Sequence, residues 1–214
     1  MKTYLLTVAL TAGLLQAQAQ DESKYLAAMQ RNVATLDSAK NIETLEALVG
    51  NFERIATVEK TKWLPYYYAG YCAMRLSYLQ KDLNKIDEKA DKAEELIAKA
   101  DELSPNNSEV SCLKAQVAFA RINVDFMSRG AKYSQLANEY LLQAQKQNPA
   151  NPRAYLLLGQ SKYSTPEAFG GDKRGGCQLI QHALKLFEQP AASPIDPHWG
   201  RPTAERLIGK CNSL

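Results

Sequence analysis

The sequence predicts an all-α chain of about four helical hairpins stacked in a row and closed by a C-terminal capping helix. Three observations carry that expectation. Apolar residues recur three and four positions apart through every long segment, and no stretch shows the alternation of a strand. Short motifs rich in Asn, Pro and Gly punctuate the segments, as helix caps and turns require. One helix-ending pattern also returns: Ala93, Ile97, Ala100 and Pro105 recur as Ala137, Leu141, Ala144 and Pro149, each 44 positions later (137 − 93, 149 − 105). A weaker copy is Gly176, Ile180 and Ala183, and Leu48, Phe52 and Ile55 keep the spacing upstream.

In chain order, the first segment reads as a secretory signal peptide over residues 1–19. Lys2 supplies a basic start, Tyr4 to Leu15 an apolar run, and Ala17-Gln18-Ala19 a small-residue cleavage site. The apolar run falls short of the roughly 20 residues that span a bilayer, so an exported protein, periplasmic or secreted, without stable membrane insertion is expected. Residues 20–214 then form one domain. Tyr25, Leu26, Met29, Val33 and Leu36 make the apolar face of a first helix, from Glu22 to about Ala39. Asn41 caps a second, with Ile42, Leu45, Leu48, Phe52 and Ala56 inward, to about Glu59.

The third, about Lys62 to Leu79, is the most aromatic, and its Ala69, Gly70 and Ala73 let a neighbouring helix approach closely. The fourth runs from about Asn84 to Leu103 and stops at Ser104-Pro105-Asn106-Asn107. A fifth is expected from Glu109 to Met127 and a sixth from Lys132 to Gln147, with Arg129-Gly130 as the turn between them. Asn151 caps the seventh, whose first residue, Pro152, needs no hydrogen-bond partner for its nitrogen. The segment Thr165 to Asp172 separates it from an eighth, with Phe169 expected as an apolar anchor and Asp172 as the N-cap. Pro190 to Pro197 reads as a linker, and Thr203 to Cys211 as a short closing helix. The hairpins fall at about 22–59, 62–104, 107–148 and 151–189, with the cap at 198–212.

Composition excludes several functions. The formal charge of +3 is small and dispersed, with Lys and Arg alternating with Asp and Glu along the helices, so no nucleic-acid partner is expected. The two histidines, His182 and His198, stand apart, and no zinc, P-loop or nucleophile motif has its confirming context, so neither catalysis nor a metal or cofactor is predicted. The glycines of Phe169-Gly170-Gly171-Asp172-Lys173-Arg174-Gly175-Gly176 suggest a phosphate cradle, but no strand precedes them and a capped turn accounts for them. Asn106-Asn107-Ser108 matches a glycosylation triplet of the kind that arises by chance. The four cysteines, Cys72, Cys112, Cys177 and Cys211, permit three pairings.

The order small, large, small, proline, then a bulky residue, a leucine and a glycine, seen from Ala137 through Gly159, resembles the tetratricopeptide repeat. Tyr66, Ala69, Gly70 and Ala73 resemble its first-helix signature, although the 44-residue spacing exceeds the family's 34. The resemblance implies a right-handed superhelix whose first helices line a concave groove. It places Tyr67, Tyr71 and Arg75, then Gln116 and Phe119, then Arg153, Gln160 and Tyr163 on that inner surface. Tyr and Arg dominate interface energies, and Arg75 or Arg153 would suit a carboxylate. The expectation is a non-enzymatic exported module that binds a peptide or envelope protein. The alternative is a binding protein for an anionic small molecule, of the type associated with uptake. In this arrangement Trp199 and the Arg201 to Leu207 stretch cover the last open face. Cys211 then lies above Cys177, which makes Cys177–Cys211 the preferred disulfide.

Overall fold

The computed structural model describes residues 2–211, with side chains from Gln20 onward; the signal-peptide side chains expected at 1–19 lie outside the described residues. Among the described residues there are nine α-helices, one 3-10 turn and no strand. The helices are α1 (Lys2–Ser38), α2 (Ile42–Val58), α3 (Trp63–Leu79), α4 (Leu83–Leu103), α5 (Ser108–Ile122), α6 (Phe126–Gln147), α7 (Pro152–Ser164), α8 (Lys173–Leu186) and α9 (Arg201–Cys211). None of them is long and apolar enough to cross a membrane, among the described residues. They form a helical bundle in which each helix packs on the next, most extensively α3 on α4, α5 on α6 and α7 on α8, while α5 also meets both α3 and α7.

Side-chain oxygens start most of these helices. Asn41 accepts from the Thr44 amide at 2.8 Å, Asn107 from Glu109 at 2.9 Å, Asn151 from Arg153 at 2.9 Å, and Asp172 from Gly175 at 2.8 Å. The turn between α5 and α6 sits earlier than the glycine suggests. Asp125 accepts from the Met127 and Ser128 amides, so α6 starts at Phe126, and Gly130 is a buried position inside the helix rather than a break. Two charge-bearing contacts outweigh the glycine's poor helix propensity there: this cap, and Arg129 Nη1, which donates to both Asp87 carboxylate oxygens at 2.8 Å. Phe169 does not anchor its turn. It stands 68% exposed, edge-on to the equally unburied Phe126 at 6.2 Å, and Gly170 turns the chain with φ +85°.

The recurring small and branched residues have one packing reason. A Cβ on Gly70 would meet Ile97 Cγ1 at 2.9 Å, and a Cβ on Gly159 would meet Ile180 Cγ1 at 2.9 Å and the Gly176 carbonyl at 2.8 Å. A bare backbone on the first helix thus receives the branched residue of the second. Ala93, Ile97, Ala100, Ala137, Leu141, Ala144, Ile180 and Ala183 are all buried. The core runs as three adjoining clusters: one over α1 to α5, one over α5 to α7, and one over α7 to α9.

After α8 the chain does not simply link two helices. Residues 187–200 form a strap that lies against α3 and α7, and Ile195 is buried in the first core cluster. Cys177 and Cys211 are joined, with Cα atoms 5.8 Å apart, so α9 is fastened to α8. Cys72 and Cys112 are free and buried.

Candidate functional site

The site lies where α3, α5 and α7 meet the strap. In α3 the run Tyr66 to Tyr71 spreads its rings by helical spacing. Tyr68 stacks on Phe52 with centroids 5.2 Å apart, and its hydroxyl donates to the Ile195 carbonyl at 2.9 Å. Tyr67 is fully buried, and its hydroxyl accepts from Trp199 Nε1 at 2.8 Å. The Trp199 indole stacks on Tyr71 at 5.3 Å and 21°. His198 meets Asp37 at 3.0 Å beside it.

Arg153, at the start of α7, binds Glu109 of α5 through Nε and Nη2, each at 2.6 Å. Its Nη1 donates to the Trp199 carbonyl at 3.2 Å, and the guanidinium lies over the Trp199 ring at 5.5 Å. Burial disfavours its charge, yet the Glu109 ion pair more than offsets this and raises its pKa. Burial, aided by Glu109, holds the Tyr67 phenol well above its ordinary range, and burial pushes Tyr71 up to about 12. These phenols are neutral hydrogen-bonding groups near neutral pH. The same desolvation pushes the Cys72 thiol up to about 12 and raises that of Cys112, so neither is a reactive thiolate.

Beside Trp199 there is a cavity of about 130 Å³. Tyr71 and Trp199 give it aromatic walls, Leu156 and Leu157 an aliphatic one, and the amides of Gln116 and Gln160 supply polar groups. Gly200 and Thr203 close the side nearest α9. A second cavity, of about 400 Å³, lies between α4, α5 and α6; Ile97, Ala118, Leu136 and Tyr140 line it, and its rim carries Glu94, Asp101 and Glu102 against a single Lys114. That rim disfavours an anionic ligand. Among the described residues no group of His, Cys, Asp and Glu is placed to hold a metal ion.

The eight residues predicted for an inner groove therefore separate. Tyr71, Gln116 and Gln160 line the first cavity. Tyr67 and Arg153 lie beneath the strap and already have partners. Arg75 is not free for a carboxylate, because it donates to the Leu36 and Ala39 carbonyls at the end of α1, at 3.3 and 2.5 Å. Phe119 packs against the second core cluster, and Tyr163, with its Cβ against Gly176 of α8, is not among the residues that line the cavity. Trp199, expected in the cap over the last open face, also enters the site, where it stacks on Tyr71.

No model of a known protein family matches the chain, and neither does any curated protein sequence. Among solved structures, the HusA haemophore from Porphyromonas gingivalis is similar, with a TM-score of 0.81 and 33% identity over 88% of this chain and 93% of that one. The chain belongs to the HusA haemophore family. At that identity over nearly the whole of both chains, the likeness goes beyond shared helical architecture.

Two features of this HusA-family chain escape a linear reading of its residues. Trp199 follows the Pro190 to Pro197 stretch and reads as part of the C-terminal cap, and only the packed strap brings it to Tyr71. The Glu109–Arg153 pair had a signal in the repeat itself: its partners are 44 residues apart, the offset of the helix-ending motif. Ser108–Asn151 and Asp87–Arg129, at separations of 43 and 42, fall close to that offset without matching it. Opposite charges or paired polar groups one repeat apart on neighbouring helices mark such contacts.

Proposed function

We propose that the protein is an exported, non-enzymatic carrier of a planar anionic tetrapyrrole of the haem class, held at the Tyr71, Gln116 and Gln160 face. In this reading the hairpins form a tetratricopeptide-like superhelix, and that face is part of its inner wall. The observation that carries the proposal is the 33% identity to a haemophore across 93% of that chain. The site chemistry agrees with it. The Trp199 indole stacks on Tyr71, as a flat aromatic ligand ring would, and amide N–H groups of Gln116 and Gln160 suit carboxylates. The solute-binding reading thus has more support than the peptide-binding one, whose expected groove residue Arg75 is held by the carbonyls at the end of α1.

Titration of the purified protein with haemin, followed in the Soret band, tests this. Saturable binding is expected, and Tyr71→Ala should weaken it about two- to tenfold, because an aromatic stack contributes about 0.5–1.5 kcal/mol and 1.4 kcal/mol is tenfold. Absence of a Soret change with the wild-type protein would overturn the assignment.

A further inference from the structure

The cavity beside Trp199, at about 130 Å³, is smaller than the roughly 300–1,000 Å³ of pockets that hold drug-sized ligands, and a tetrapyrrole needs at least as much. Its outer wall is Trp199 and Gly200 of the strap with Thr203 of α9. What holds the strap there is burial of Ile195, Pro197 and Gly200 together with side-chain bonding: Tyr68 to the Ile195 carbonyl, Trp199 Nε1 to Tyr67, Arg153 to the Trp199 carbonyl, and His198 to Asp37. Among the described residues, the backbone–backbone hydrogen bonds of residues 190–200 run within the strap or into α9, as in Asp196 to Ser193 and Ala204 to Gly200. Both ends are fixed. Ile195 is buried upstream, and downstream α9 is held by its own core cluster and by Cys177–Cys211. Gly200, with φ +111°, stands at the junction of strap and α9.

We propose, on the basis of the haem-class reading above, that the segment from Pro197 to Trp199 is a tethered gate and that Trp199 is a placeholder for the ligand. Entry of a planar anion lifts the indole off Tyr71, with the chain turning between the Ile195 anchor and Gly200. The groups that lose Trp199 match the incoming ligand. Tyr71 presents a ring face, the Tyr67 hydroxyl loses the indole N–H, and Arg153 Nη1 loses a carbonyl and regains a free donor for a carboxylate. The Glu109 clamp keeps the guanidinium in place during the exchange. Ligand affinity is then reduced by the closed fraction, so the gate sets both rate and affinity.

The test uses the intact disulfide-bonded protein labelled with 5-fluorotryptophan, whose two tryptophans, Trp63 and Trp199, report separately by fluorine NMR. Zinc protoporphyrin, which is diamagnetic, is the probe. The expected result is a several-fold larger solvent isotope shift at Trp199 on binding, with Trp63 unchanged. Trp199→Ala should bind haemin several-fold more tightly and faster, and His198→Ala, which loosens the strap without removing the indole, should raise the association rate at least twofold. A Trp199 that stays shielded in the complex, together with a tenfold loss of affinity in Trp199→Ala, would make it a fixed wall and overturn the gate alone. Failure of wild type and both variants to bind either porphyrin overturns the haem-class reading and the gate with it.

Discussion

At the scale of single residues, Asn151 shows how one side chain serves two levels of structure. It is nearly fully buried, its Oδ1 caps α7 at the Arg153 amide, and its Nδ2 donates to Ser108 Oγ of α5 at 2.9 Å. Asn151→Ala removes both bonds and leaves a buried serine hydroxyl without that donor, so equilibrium urea unfolding should report a loss of about 1–2 kcal/mol. Asn151→Asp, which keeps the cap acceptor but not the donor, should fall between. The capping half of this role is legible in Asn151-Pro152 because it is local. The tie to Ser108 is not, since it depends on which hairpins are neighbours. Arg75 makes the same point: its charge invites a ligand, yet the orphan carbonyls at the end of α1 claim it first.

At the scale of elements, the disulfide and the strap act together. Cys177–Cys211 closes a loop with a sequence separation of 34 that contains the whole strap. Constraining a loop of that size in the unfolded chain contributes about 3–4 kcal/mol, so thermal melts with and without a reductant should separate by several degrees, the reduced form melting lower. Helix positions were legible because apolar spacing and caps are local signals, and the repeat of Ala93, Ile97 and Ala100 followed from Gly70 and Gly159 needing the same partner shape. The α5–α6 turn was misplaced because a glycine is visible in a sequence, whereas the Arg129–Asp87 contact that keeps it helical is 42 residues distant. Pro190 to Pro197 reads as a linker because nothing local distinguishes an extended segment in solvent from one packed into a face.

At the scale of the whole molecule, the aromatic centre sets a pH limit. Tyr67, Tyr68 and Tyr71 and the thiols of Cys72 and Cys112 all have raised folded-state pKa values, with burial the first cause in each. Below about pH 7.5 both folded and unfolded chains hold these protons, and the stabilisation is fully present. As pH rises through about 8.5, where unfolded thiols titrate, and about 10, where unfolded phenols do, the unfolded chain releases them while the folded chain does not, so stability falls, and it continues to fall to about pH 12, where Tyr71 and Cys72 titrate in place. Melting temperature measured from pH 7 to 12 should be flat at first and then drop steeply; a flat profile to pH 12 would contradict the burial of these groups. The strap adds a constraint of a different kind. Most contacts of a hairpin bundle join near neighbours in sequence and form early, but Tyr68–Ile195, Tyr67–Trp199 and Asp37–His198 join residues 127, 132 and 161 apart. Folding therefore ends with a long-range closure. During synthesis the face of α3 that carries Tyr67, Tyr68 and Tyr71 lacks its strap contacts until the last part of the chain has emerged, so the growing protein passes through a stage in which this aromatic surface awaits its own C-terminus.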